Sequence, residues 1–248
     1  KFKKLNESTI KNVIDNADMI LNLKTIWQEK KGYSYKKHIL IFNTQLIDLI
    51  NTTDKNKIFI FFSGLRVSEQ SPSKRVQHIA KVENYILENL KNAIIIKPSV
   101  VIGEGDQFIR KLLPIFKLFY LIPIFGSGET KLQPVFVDDV AKALEIILKQ
   151  EVKGKNIYEL VGPEIFTYNE LYILIAENLG LKRKFVHIPF GLANIGVSII
   201  EKTPFNLITK DQLILFKEDN ISSHKNKNFD NLGIVPKEIR EIIKKITI

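Results

Sequence analysis

A doubly wound parallel α/β sheet is the architecture this sequence predicts, and three neighbouring stretches predict it. Ile58 to Phe62 is a continuous apolar run, as a parallel strand covered on both faces requires. Ser71-Pro72-Ser73 then opens a helix with Val76, Ile79, Ala80, Ile86, Leu87 and Leu90 expected to face inward. Ala93 to Lys97 is a second apolar run. Strand, helix and strand form one crossover unit, and open sheets place their chemistry at the strand ends.

The other elements follow in order. Ala17 to Leu23 reads as a short buried strand, and Lys36 to Thr52 as a helix with Ile39, Phe42, Leu46 and Ile50 on one face. A loop rich in glycine and proline runs from Gly103 to Gly128 around a helix from Phe108 to Leu118. Leu132 to Val137 is extended; Asp138 or Asp139 can cap a helix to Lys149 with Val140, Leu144, Ile147 and Leu148 inward. Asn156 to Leu160 reads as a strand, and Thr167 with Glu170 fits a capping box for a helix to about Leu179. Phe185 to Pro189 reads as a strand, while Thr209 to Gln212 opens one further helix and Pro236 another. The uncharged stretch Phe185 to Ile200 is read first as a buried helix of a smaller lobe, with a segment resting on a membrane surface as the alternative.

Composition removes several classes of function. With 248 residues, 45% of them hydrophobic, the chain can bury a core and is not expected to be disordered. Having no cysteine, it lacks disulfides, thiolate metal sites and cysteine nucleophiles. His38, His78, His187 and His224 are scattered without ligand spacing, so no metal is expected. No apolar run reaches the roughly 18 to 20 residues that span a bilayer, and Lys1-Phe2-Lys3-Lys4 does not lead into the apolar stretch of a secretory signal. A soluble, intracellular protein is expected; a start at Lys1 rather than methionine suggests a fragment or a processed form. The net charge of +10 favours an anionic partner: nucleic acid, acidic lipid, a phosphate-bearing ligand or an acidic protein face. Nucleic acid is the weakest of these, because no arginine-rich patch with interleaved aromatics occurs and the lysines are spread along a chain rich in Lys, Ile and Asn.

Ser63 after one strand, Lys81 on the helix and Lys97-Pro98-Ser99-Val100-Val101-Ile102-Gly103 on the next strand resemble the extended short-chain dehydrogenase/reductase family, in its NAD-dependent epimerase/dehydratase branch. From about Asn16 onward, three motifs resemble the atypical branch related to the alpha-subcomplex subunit nine proteins of respiratory complex I and their alphaproteobacterial relatives. These are Lys97 to Phe108, Leu132 to Ala141 and Tyr158 to Glu164. The resemblance implies a Rossmann-like sheet binding NADP or NAD, with the binding-type domain at 1–150 and a smaller C-terminal α/β lobe at 151–248. It also implies an accessory or assembly role beside complex I subunits. The expected location is cytoplasmic, peripheral on a bacterial inner membrane and its anionic surface, or on the matrix side in a eukaryote. Residue by residue, it implies that Asn22 and Leu23 line the cofactor and that Ser63 is the serine after the following strand. Lys81 would bond the nicotinamide ribose, and Pro98, Ser99 and Val100 would form the turn against the nicotinamide. Gln133 and Asp138 fall where the relatives build the lobe contact. Plainer readings stand beside these: Ser63 as a turn residue, Lys81 as a solvated helix lysine, Asn22 as a side chain tying down a loop.

Two departures from the family pattern matter as much. The family places a tyrosine four positions before the helix lysine, whose charge lowers the phenol pKa for proton transfer. Gln77 stands there, and an amide has no accessible pKa. An active oxidoreductase is therefore not expected. The alternative, an active NAD(P)-dependent reductase or epimerase, needs His78, substrate or water to supply the acid. The second departure is that no G-x-x-G-x-x-G precedes Asn22, so the usual pyrophosphate cradle and the first βαβ unit are missing from these residues. That unit is expected upstream in a longer product, or this copy binds no dinucleotide. Gly103, Gly105, Gly126 and Gly128 come too late in the order and read as turns. Asp138 and Asp139 are set aside as a catalytic pair because adjacent side chains diverge.

Overall fold

The computed structural model describes residues 7–53, 57–201 and 208–247. Helix α1 (Glu7–Asp15) leads to β1 (Met19–Asn22), and a wide-turned helical segment, Lys36–Ile41, runs into α2 (Phe42–Asn51). Then come β2 (Ile58–Phe62), α3 (Lys74–Asn89), β3 (Ala93–Pro98), β4 (Val101–Ile102), α4 (Phe108–Leu118), β5 (Leu121–Phe125), β6 (Lys131–Leu132) and β7 (Val135–Phe136). The chain continues through α5 (Val137–Lys149), β8 (Lys155–Leu160), β9 (Phe166–Thr167), α6 (Tyr168–Asn178), β10 (Lys184–Ile188), α7 (Phe190–Ile200), α8 (Lys210–Leu215) and α9 (Ile239–Thr247). The Lys1–Lys4 start lies outside the described residues. Two compact units interleave along the chain: residues 1–97 with 147–158, and residues 98–146 with 159–248.

The first unit carries the α/β sheet, in the order β1-β2-β3-β8, with β1, β2 and β3 mutually parallel. Phe59, Ile60 and Phe61 of β2 are all buried, which is why that run has no polar alternation. α3 starts where Ser73 breaks from helical geometry and its Oγ accepts from Val76 N at 3.3 Å. Its buried face is Ile79, Ala80, Val82, Glu83 and Ile86; the expected Val76 and Leu87 are only half-buried. Along 36–51 the buried residues are Ile39, Asn43, Ile47 and Ile50, in place of the expected Phe42 and Leu46. The wide turn accounts for this: it takes more residues per revolution, so the fourth residue after Ile39 returns to the core face instead of the third. Lys57, 4% exposed, closes the end of α1 by donating from Nζ to the Asp15 and Ala17 carbonyls at 3.1 and 2.6 Å.

The second unit is cored by Ile109, Phe116, Ile122, Phe166, Leu171 and Ile243, with further aliphatic residues. Its pairings are small: β5 with β10 and β4 with β7, both parallel, and β6 with β9, antiparallel. β5 falls inside what the sequence presents as a loop. Pro123 disguises it, and is tolerated because β5 has one strand partner. α6 has the expected capping box at Thr167 and Glu170, and α8 has a second at Thr209 and Gln212. On α5 the buried stripe is Val140, Ala143 and Ile147, so the expected Leu148 lies on its flank, 38% exposed.

α7 corrects the expectation of a buried lobe helix. Ala193 and Val197 are buried against Leu213, with Phe190 half-buried beside them, while Leu192, Ile195 and Ile199 are 64%, 63% and 65% exposed. Past Phe190 the small residues hold the packed side and the bulky ones face outward. Among the described residues no helix is long and apolar enough to cross a membrane.

Candidate functional site

In the first unit, β2 ends at Phe62, and the next residue, Ser63, donates its backbone N–H to Ile96 O of β3 at 2.8 Å. The Ser63 hydroxyl donates to Oε1 of Glu83, on the buried face of α3. The other carboxylate oxygen accepts from Lys97 Nζ, at the end of β3, at 2.7 Å. The Glu83 and Lys97 side chains are 10% and 13% exposed. Burial pushes the Glu83 carboxyl above its ordinary pKa, although Lys97 and the Ser63 hydroxyl both pull it down. One carboxylate thus joins two strand ends to a helix. Sequence reasoning passed over Glu83, yet a signal was present: an acid inside an apolar helix stripe needs a buried partner.

The remaining positions implied by resemblance divide into engaged and exposed groups. Asn22, 8% exposed, donates from Nδ2 to Asn43 Oδ1 at 2.6 Å and accepts from Lys24 N at 2.9 Å. The Asn43 amide in turn donates to Ile39 O at 2.6 Å. Gln77 donates from Nε2 to Ser71 O at 2.8 Å, tying α3 to the turn before it. His78 Nδ1 lies 2.7 Å from Lys74 O of its own helix. Lys81 is exposed, and Leu23 is 63% exposed. Among the described residues there is also no cluster of histidines and carboxylates able to hold a metal ion.

The polar side chains of Ser63 and Asn22 are already bonded within the protein, and Gln77 has no proton to exchange at ordinary pH. What they build is a strand-end brace.

In the second unit, Ser99 is buried, donating from N to Leu160 O and from Oγ to Asn220 O, both at 3.2 Å; Pro98 and Val100 are half-buried. Gln133, 7% exposed, donates to Gly162 O at 2.9 Å and accepts from Ser222 N at 3.0 Å. Gly162 is required there, since a Cβ on it would collide with the Pro134 carbonyl oxygen. Two of the sequence motifs are therefore two sides of one packed junction. Asp138 is exposed, while Asp139 is buried and accepts from Lys237 N at 2.7 Å, just ahead of α9. A second carboxylate missed in the sequence, Glu159, accepts from Ser222 Oγ at 2.6 Å, from Ser223 N and Oγ at 2.8 and 2.7 Å, and from Asn226 Nδ2 at 2.8 Å. Burial alone would raise its pKa; the hydrogen bonds outweigh that and hold it at about 2.

No family model matches the chain. It is 29% identical over 97% of its length to the mitochondrial NADH dehydrogenase [ubiquinone] 1 alpha subcomplex subunit 9 of Arabidopsis thaliana, spanning 62% of that protein. It is also 24% identical to the Dictyostelium discoideum protein of the same name, over 97% of this chain and 67% of that one. The chain is thus similar to subunit 9 proteins along nearly all of its length. It spans under two thirds of the Arabidopsis relative's length. Solved structures agree on the fold. A nucleoside-diphosphate-sugar epimerase from Staphylococcus aureus superposes with a TM-score of 0.73 at 14% identity, covering 96% of this chain and 80% of its own. RMD from Pseudomonas aeruginosa, complexed with NADPH, gives 0.64 at 13% identity, covering 96% and 84%. The Rossmann-like α/β class expected from the sequence is thereby established.

Proposed function

We propose that this chain is part of a noncatalytic, NAD(P)-binding-type accessory or assembly subunit associated with respiratory complex I. The observation that carries the reading is likeness to subunit 9 proteins along 97% of the chain, joined to a glutamine at the proton-donor position. Gln77 is held in the fold by Ser71 O, so it serves structure where the active family uses a phenol. In this reading residues 1–150 are the binding-type part and 151–248 the lobe. The protein works beside complex I subunits, peripherally, at the cytoplasmic or matrix face of the membrane. For NAD or NADP, the residues that would contribute are Asn22, Leu23, Ser63 and Lys81 in the first unit and the Pro98–Val100 turn in the second.

The similarity to sugar-nucleotide epimerases keeps an active reductase or epimerase as the competing reading. One preparation separates the two. Affinity purification of the tagged natural protein is expected to recover complex I subunits, and the eluted protein to show no substrate-dependent change in nicotinamide absorbance. Steady turnover that disappears in His78→Ala, without complex I subunits in the eluate, overturns the proposal.

A further inference from the structure

The basic surplus is confined to one unit. Residues 1–97 and 147–158 carry 20 Lys and Arg against 10 Asp and Glu, while the remainder carries 17 against 17, so the first unit holds the whole +10. Part of that surplus gathers past the carboxyl end of β1. Lys24 follows the strand, and Lys36, Lys37 and His38 open the wide helical turn. Together with Ser34 and Phe42 they line a cleft of about 560 Å³.

No carboxylate lines this cleft. Glu29 accepts from Tyr35 N at 2.8 Å at the same helix start, and its side chain does not line the cleft. Lys24 Nζ sits 3.7 Å from the centre of the Phe42 ring, over an aromatic face and not an anion. Its pKa is lowered by burial. Among the described residues Lys24, Lys36 and Lys37 form no ion pair. The imidazole of His38 is stacked on Tyr33 with ring centres 4.7 Å apart, and its Nδ1 lies 3.2 Å from Ser34 O. Like charges gathered without ion pairs repel one another, and a multiply charged anion relieves that repulsion. The position also suits a ligand, since open parallel sheets take ligands beyond the carboxyl ends of their strands.

We propose that this cleft binds a phosphate group, with Lys24, Lys36 and Lys37 as its cations and the Phe42 ring as an apolar wall for whatever carries the phosphate. The proposal does not depend on the complex I reading. Such a group comes either from a soluble phosphorylated molecule or from an anionic lipid headgroup.

Titration calorimetry with inorganic pyrophosphate tests it. Saturable binding is expected, weakening as salt is added. It should fall at least about tenfold in Lys24→Ala/Lys36→Ala/Lys37→Ala, because three nearby charges are lost. Lys11→Ala/Lys91→Ala, on exposed parts of the same unit, should bind as the parent does. Lys36 and Lys37 are both exposed, so Lys36→Ala/Lys37→Ala serves if removing Lys24 from Phe42 impairs folding. Flotation with phosphatidylcholine vesicles, with and without phosphatidylglycerol, separates the sources. Recruitment that needs phosphatidylglycerol and is lost in the variant identifies a lipid headgroup; pyrophosphate binding without recruitment identifies a soluble ligand. Absence of pyrophosphate binding, or equal binding by the parent and the lysine variant, overturns the proposal.

Discussion

Glu83 and Glu159 are both buried carboxylates, one in each unit, and their acidities move in opposite directions. Glu159 receives four hydrogen bonds from two serines and an asparagine and is held at about 2. Glu83 has a lysine at 2.7 Å and one hydroxyl, yet its pKa rises. Burial makes the difference: at Glu83 desolvation outweighs what Lys97 and Ser63 supply, whereas at Glu159 a complete set of neutral donors outweighs it. Each donor satisfies one lone pair directly, whereas the lysine must itself be desolvated to reach its partner. The Glu83 brace is accordingly costly to build and costly to break, and the Glu159 cluster strengthens the fold only while it stays ionised.

The sharpest way to break this comparison is to remove one side of the Glu83 pair. Glu83→Ala leaves Lys97 buried without its carboxylate and is expected to cost about 3 kcal/mol or more in urea unfolding. Glu83→Leu/Lys97→Met, which removes both charges and keeps the volume, should recover most of that loss. If the double variant is as unstable as the single one, the pair is not the buried charge problem described above. Glu159→Gln comes next, at about 2 kcal/mol, since an amide turns a donor towards groups that are themselves donors. This second loss depends on pH. With a folded pKa of about 2 against an ordinary 4.5, Glu159 contributes its stability fully above about pH 4.5 and loses it as pH falls towards 2. The gap between parent and Glu159→Gln should therefore close over that range. Glu83 has the reverse sign: raised in the folded state, its contribution is present below the ordinary carboxylate pKa and is lost as pH rises through its folded value.

Strands β2 and β3 and the crossover between them were legible in the sequence because parallel strands must be apolar on both faces, and Ile58–Phe62 and Ala93–Lys97 have little other use. Helix starts at Ser73, Thr167 and Thr209 were legible because a cap is a local contact between residues three apart. What escaped was non-local. Nothing near Glu83 in sequence announces Lys97 or Ser63, and Glu159 meets Ser222 more than sixty positions away. The bonds that Ser63 and Asn22 make to Glu83 and Asn43 escaped as well, because a family pattern records residue types and not which groups bond to one another. The wide turn at Lys36–Ile41 was likewise invisible, because periodicity arguments assume 3.6 residues per turn throughout.

The smallest expected effect tests α7, where hydrophobicity and burial part company. Helical spacing cannot say which apolar face packs when nearly every residue is apolar, and the contacts of α7 select the side that carries Ala193 and Val197. Val197 is 3% exposed against Leu213, and Ile195, two residues earlier, is 63% exposed. Val197→Ala should then cost about 1–2 kcal/mol through lost burial, whereas Ile195→Gln, the more drastic chemical change, should shift stability by less than about 0.5 kcal/mol. Thermal unfolding of the two variants at several protein concentrations checks the order. A larger loss for Ile195→Gln would mean that the outward face is covered in solution, and a dependence on concentration would identify the cover as a second copy of the chain.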